Sequence, residues 1–216
     1  MTFAEPTRLF ALRHGQTEWN AGQRIQGQLD VPLNAAGRWQ AERLAQALAD
    51  EPLHALYSSD LQRALQTAQA LTAAAGHRVQ TDAGLRERGF GRFEGHTWAE
   101  IEQRWPEEAL RWRRREPDFE PGGGESLAGF YERSVAAVQR LLARHPGQTI
   151  AIVAHGGVLD CLYRAAFGLS LQAPRTWQLG NAAINRLLWT PERLTVVGWN
   201  DTGHLEDGPA DAIDAG

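Results

Sequence analysis

Leu9-Phe10-Ala11-Leu12-Arg13-His14-Gly15-Gln16-Thr17 and Ile150-Ala151-Ile152-Val153-Ala154-His155-Gly156-Gly157 follow one plan, an apolar run that stops at a histidine followed by glycine. Apolar runs without polar alternation fit strands covered on both faces, as in parallel α/β sheets. Ligands bind such sheets in the crevice outside the carboxyl ends of the strands, so His14 and His155 are both expected there. At His14 an imidazole stands beside the guanidinium of Arg13, an arrangement suited to a phosphate.

Working outward, strand and helix signals alternate. Asn34 is placed to cap a helix over about 35–49, with Trp39, Leu44 and Leu48 on its apolar side. A second strand is expected over 54–57. Ser59 or Asp60 then caps a helix in which Leu61, Ala64, Leu65, Ala68 and Leu71 recur at i, i+3, i+4 spacing, with Gly76 ending it. A short strand around Val79 leads into the Gly-rich stretch 85–95, and two short helical pieces follow, separated by Pro106. After the break at Pro121-Gly122-Gly123-Gly124, Glu125 or Ser126 starts a long helix to about Ala143; the strand at Ile150 and a helix over 158–167 come next. Residues 184–189 and 194–199, joined at Thr190-Pro191-Glu192, suggest a hairpin or paired edge strands. The alternation predicts an α/β three-layer sandwich, a mostly parallel sheet with helices on both faces. One domain is expected over residues 1–202, with a helical flap at about 97–124. Trp98, Trp105 and Trp112 recur every seven residues there and fit one apolar side of that flap. Residues 203–216, acidic and rich in Gly, Ala and Pro, are expected to form a disordered tail.

Composition narrows the function. A chain of 216 residues with 43% hydrophobic content can bury a full core without metal or disulfide staples. The formal net charge of −4 gives no support to general nucleic-acid or membrane-surface binding. All 22 basic residues are Arg, so an arginine is informative only within a motif. The single cysteine, Cys161, suits a reducing cytoplasm, and the sequence carries neither a signal-peptide pattern nor a run apolar enough to span a bilayer. The expected partner is a small-molecule phosphate ester, with neither nucleic acid nor membrane; a homodimer is the one self-association left open.

Several side chains carry the chemistry. A neutral imidazole at His14 can attack phosphorus if its other ring nitrogen is held by a hydrogen bond, and Gly15 lets the backbone come close enough to supply one. Arg13 and Arg63, the latter one turn into the helix after the second strand, offer planar forks matched to phosphate oxygens. Glu87 stands between two arginines in Leu85-Arg86-Glu87-Arg88-Gly89, where a nearby phosphate dianion favours its protonated form and lets it donate to a departing alkoxide. His155, as an imidazolium or as a hydrogen-bond donor, would stabilise charge on the transferring group. Competing motifs fail. Gly89-Phe90-Gly91-Arg92-Phe93-Glu94-Gly95 lacks dinucleotide spacing, Gly122-Gly123-Gly124-Glu125-Ser126 lacks the lysine of a P-loop, and Cys161 stands outside a Cys-x5-Arg frame. The seven histidines show no metal-ligand spacing, so neither metal nor cofactor is expected.

Arg13-His14-Gly15-Gln16-Thr17 with Asn20 resembles the signature of the histidine phosphatase superfamily, phosphoglycerate mutase-like branch. Gln26-Gly27, Asp30-Val31-Pro32-Leu33, Gly37, Ser58-Ser59-Asp60-Leu61-Gln62-Arg63-Ala64, Thr67-Ala68, the stretch 85–95, Gly124-Glu125-Ser126 and His155-Gly156 follow in the family's order, covering roughly residues 7–199. The resemblance implies that His14 is the phosphorylated nucleophile, that Arg13, Arg63 and His155 form the phosphate pocket, and that Glu87 is proton donor and later base. It also implies that Gly15, Thr17, Asn20, Gln26, Gly27 and Gly156 line or bind the phosphate and substrate, without a metal. The short segment between Glu87 and His155 favours a phosphatase over a phosphoglycerate mutase, although Arg113-Arg114-Arg115 offers a contact for an acidic substrate. A noncatalytic phosphate-binding regulatory module is a third alternative.

Overall fold

The computed structural model describes residues 5–75 and 78–208. Strand β1 (Thr7–Arg13) pairs in parallel with β4 (Thr149–Ala154), Leu9 opposite Ile150 and Arg13 opposite Ala154. This register brings the two histidines together: the His14 N–H donates to the Ala154 carbonyl at 3.0 Å. Beyond β4 lie β2 (Ala55–Ser58) and β3 (Val79–Thr81), both parallel; beyond β1 lies the antiparallel pair β5 (Ile184–Thr190) and β6 (Arg193–Asp201). The sheet order is β3-β2-β4-β1-β5-β6. The expected mostly parallel sheet is therefore present, and it is mixed because the β5–β6 hairpin forms an antiparallel edge.

Successive side chains of a strand point to opposite faces, so each central strand feeds two cores. Leu9, Ala11, Ile150, Ile152 and Ala154 pack against α6 (Leu127–Leu142) and α7 (Gly156–Phe167), including Phe130, Val138, Leu141 and Leu159. Phe10, Leu12, Ala151 and Val153 pack against α2 (Ala35–Ala47) and α3 (Gln62–Ala75), including Leu44, Ala64, Ala68 and Leu71. Asn34 caps α2 through the Gly37 N–H, and Ser126 caps α6 through the Gly129 N–H.

Local differences from the sequence expectations have identifiable causes. The stretch after β1 contains a one-turn helix, α1 (Glu18–Ala21), closed by a capping box in which Thr17 and Asn20 exchange side-chain to backbone bonds. At the start of α3 the capping acceptor comes from far along the chain: Asp30 accepts the Gln62 backbone N–H at 2.7 Å. Asp60 instead pairs with Arg86. Gly76 lies outside the described residues.

The tail is corrected in its first part. Gly203–Leu205 forms a 3-10 turn that buries Leu205 in the core beside α2 and α3, because one leucine suffices to dock the acidic segment. Residues 209–216 lie outside the described residues.

Between β3 and α6 come α4 (Trp98–Arg104) and α5 (Pro106–Arg113), broken where Pro106 opens a new helix. Trp98, Trp105 and Trp112 gather around buried Phe93, Ile101, Ala109 and Phe119, as the heptad spacing implied. Among the described residues no helix is long and apolar enough to cross a membrane.

Candidate active site

His14 lies just past the carboxyl end of β1 and is 3% exposed. Its Nδ1 stands 2.7 Å from the Gly15 carbonyl, which can only accept, so Nδ1 carries the proton and Nε2 keeps its lone pair. Gly15 is required by a close approach rather than by its backbone angles: a Cβ there would lie 2.4 Å from the Gly37 carbonyl oxygen. Its own N–H donates to Thr67 Oγ1 at 3.0 Å, and the Thr67 hydroxyl donates to the Arg63 carbonyl at 2.8 Å. The loop after β1 is thereby fastened to α2 and α3.

His155 packs beside His14, with ring centroids 5.1 Å apart, and is fully buried. Arg63 Nε donates to His155 Nδ1 at 3.2 Å, so the neutral ring carries its proton on Nε2, opposite to the tautomer of His14. That Nε2 is buried and without a partner, as is Arg13 Nε. Arg13 NH1 donates to the Leu179 carbonyl, and Arg63 donates from NH1 to Leu29 and from NH2 to Gly27 at 2.9 and 2.7 Å. Gly27 reaches that position with φ of +53°, and a Cβ there would strike the Glu94 carboxylate. Burial pulls Arg13 and Arg63 down to about 10, which leaves both cationic at neutral pH. The site thus offers one lone pair beside two guanidinium groups and an imidazole N–H, a set that an anion satisfies.

Glu87 closes the far wall. Its Oε1 accepts the Arg88 N–H at 2.8 Å and its Oε2 accepts the Gly157 N–H at 3.0 Å, in the first turn of α7. A Cβ at Gly157 would lie 2.1 Å from Glu87 Oε1, so a side chain there would displace the carboxylate from this position. A cavity of about 690 Å3 opens between these groups, bordered by Arg13, His14, Asn20, Gln26, Gly27, Arg63, Glu87 and Gly156. Gly15, Thr17 and His155 do not border it: the buried Thr17 hydroxyl caps α1 and bonds Asn20, and His155 lies beside His14, fully buried. Burial pushes the Cys161 thiol up, so it offers no thiolate. Among the described residues no group of three or more His, Cys, Asp or Glu could hold a metal ion.

With this geometry in view, the family is identifiable. Residues 9–202 match the model of the histidine phosphatase superfamily, branch 1. The chain belongs to that superfamily. A phosphoglycerate mutase-like protein of Arabidopsis thaliana is 41% identical over 204 residues, spanning 92% of this chain and 87% of that one. A metal-independent phosphoserine phosphatase of the same plant is 36% identical, over 94% of this chain and 84% of its own. Among solved structures, a mycobacterial glucosyl-3-phosphoglycerate phosphatase in complex with VO3 superposes with a TM-score of 0.81 at 36% identity, covering 90% of this chain and 99% of that one.

Around this histidine phosphatase core stand residues that the sequence did not single out. Gly157 orients Glu87, Asn181 Nδ2 donates to the His14 carbonyl at 3.0 Å, and Trp177, Gln178 and Leu179 border the cavity. Gly157 opens α7, whereas Trp177, Gln178, Leu179 and Asn181 come from irregular chain between α7 and β5, which has no periodicity to point to it. The Arg113-Arg114-Arg115 run divides. Arg113 pairs with Glu102 near the surface, whereas Arg115, at φ +51°, reaches the cavity and is held by the Leu171 carbonyl at 2.6 Å and Asp160 at 3.0 Å.

Burial, then Arg63, holds both His14 and His155 well below the usual imidazole range. Unfolded, each ring takes a proton as pH falls through about 6.5; folded, neither does. The unfolded chain then binds more protons, so stability is expected to be level above neutrality and to fall below about pH 6.5 by roughly 1.4 kcal/mol per ring per pH unit. Urea unfolding at several pH values checks this, because His155→Gln should lose one ring's share of the slope. An unchanged slope in that variant would count against a neutral buried ring.

Proposed function

We propose that this chain is a metal-independent phosphomonoesterase that acts on a small phosphorylated metabolite through a phosphohistidine at His14. The observation that carries the reading is the pairing of opposite tautomers in adjacent rings: His14 keeps its lone pair on Nε2, while the Nε2–H of His155 and the Nε of Arg13 are buried without a partner. Relatives named as phosphatases support the same class. His14 Nε2 attacks phosphorus and the P–O bond to the alcohol breaks, while Glu87, acting as the general acid, gives a proton to the leaving oxygen. Water then attacks the phosphohistidine with Glu87 as base, the N–P bond breaks, and inorganic phosphate leaves. Arg13, Arg63 and the His155 N–H hold the equatorial oxygens throughout. Arg13, Arg24, Arg63, Arg88, Arg115 and Arg175 border the cavity against only Glu87 and Asp160, an excess that favours an anionic ester and disfavours cationic or membrane-bound substrates.

The purified protein in chelator should release inorganic phosphate from a panel including phosphoserine, phosphoglycerates and sugar phosphates. Rapid quench should trap an acid-labile, alkali-stable phosphoenzyme. Transfer of label to an isomer rather than to free phosphate would assign a mutase, and no release from any ester would leave the regulatory module.

A further inference from the structure

Glu87 sits in chain that belongs to no helix or strand: residues 86–90 lie between two 3-10 turns, Ala83–Leu85 and Gly91–Phe93. Backbone polar groups in such a segment must be satisfied from outside, and here one ion pair does most of it. Arg133, on α6, donates through NH1 to the carbonyls of Gly84 and Arg86 at 2.9 and 3.1 Å, and through NH2 to the Glu87 carbonyl at 3.3 Å. The same guanidinium meets Glu125 in a fork, Nε to Oε1 and NH2 to Oε2, both at 2.8 Å. Glu125 in turn accepts the Gly89 N–H at 2.9 Å, and its own N–H donates to the Gly89 carbonyl at 2.8 Å. The loop is gripped immediately before and immediately after Glu87, the carboxylate that borders the cavity. The grip is close on its Gly89 side, where a Cβ at Gly124 would lie 2.3 Å from the Gly89 carbonyl oxygen.

We propose that Glu125 and Arg133 are positioning residues for Glu87, an ion pair that sets where the proton donor stands relative to the bound ester. The inference rests on Glu87 being the donor. Neither side chain is among those bordering the cavity, so neither touches substrate. Both are about a quarter to a third exposed, and their fork is bidentate, which holds the two side chains in one geometry. That geometry carries the effect, because a displacement of about 1 Å in a reacting group can cost about 10²-fold in rate.

Leaving-group dependence separates positioning from general support. A nitrophenolate departs with little need of a proton, whereas an alkoxide requires one in the transition state. Glu125→Gln and Arg133→Met are expected to lower kcat/KM on an alkyl phosphate by about 10²-fold while staying within about threefold of the parent on p-nitrophenyl phosphate. Circular dichroism should show both variants folded. Glu87→Gln, run in the same series, should show the same selectivity more strongly. Equal losses on both esters by Glu125→Gln and Arg133→Met, or no loss on either, with Glu87→Gln still selective, overturn the positioning role alone. Equal losses by Glu87→Gln overturn the donor assignment and the inference together.

Discussion

On the proposed phosphohistidine mechanism, replacing His14 by alanine is expected to reduce turnover by at least about 10⁴-fold and to leave no acid-labile phosphoenzyme, because the proposed nucleophile is removed. The neighbouring imidazole does not stand in. His155 is only 5.1 Å away between ring centroids, but it is fully buried, its Nδ1 already accepts from Arg63 Nε, and its Nε2 therefore carries a hydrogen and no free lone pair. Residual activity in His14→Ala would have to come from water attacking an ester still held by Arg13 and Arg63, a route without covalent catalysis. The fold should tolerate the change: the ring makes one hydrogen bond, to the adjacent Gly15 carbonyl, and its backbone N–H still pairs with Ala154. Rapid-quench labelling with an alkali-stable readout and phosphate release on the same preparation check both parts. Turnover within tenfold of the parent, with phosphohistidine still recovered, would show that His14 is not the nucleophile.

The sheet and its site edge were legible because two continuous apolar runs can be satisfied only by cover on both faces, and each carries its histidine at the same end. Parallel pairing of β1 with β4 then makes neighbours of residues 141 positions apart, His14 and His155. Arg63 was legible for a related reason, since one helical turn after a parallel strand returns a side chain to the strand's carboxyl end. What escaped is held by tertiary contacts that leave no local pattern. Asp30 caps a helix that begins 32 residues later, and Leu205 docks a segment whose composition reads as solvated. Gly157 sits beside a glycine already assigned a role, yet its reason, the approach of Glu87 from 70 residues away, appears only in three dimensions. Thr17 shows the converse. It stands within the family signature at a position expected to meet substrate, and its hydroxyl is spent closing the turn of α1.

Arg63→Lys is expected to cost about 10²- to 10³-fold in kcat/KM although it keeps the positive charge, because the arginine does three jobs that one ammonium cannot share. Its two terminal nitrogens hold the carbonyls of Gly27 and Leu29, which fixes the loop carrying Gln26, while its Nε sets the tautomer of His155. A lysine nitrogen can reach one of these acceptors at a time. The His155 proton would then be free to move to Nδ1, and the Nε2–H proposed to meet the phosphate would be lost. Buried carbonyls left unpaired add a stability loss of about 1–3 kcal/mol each, so activity must be measured well below the unfolding transition. Coupling to His155 gives the decisive comparison. His155→Gln alone is also expected to cost about 10²- to 10³-fold, since it removes the same donor. If Arg63 acts largely by orienting that ring, the double variant should fall no more than about tenfold below the weaker single variant. Fully multiplicative losses, roughly 10⁴- to 10⁶-fold on the same scale, would mean that Arg63 and His155 hold the phosphate independently and that the tautomer is not set by this contact.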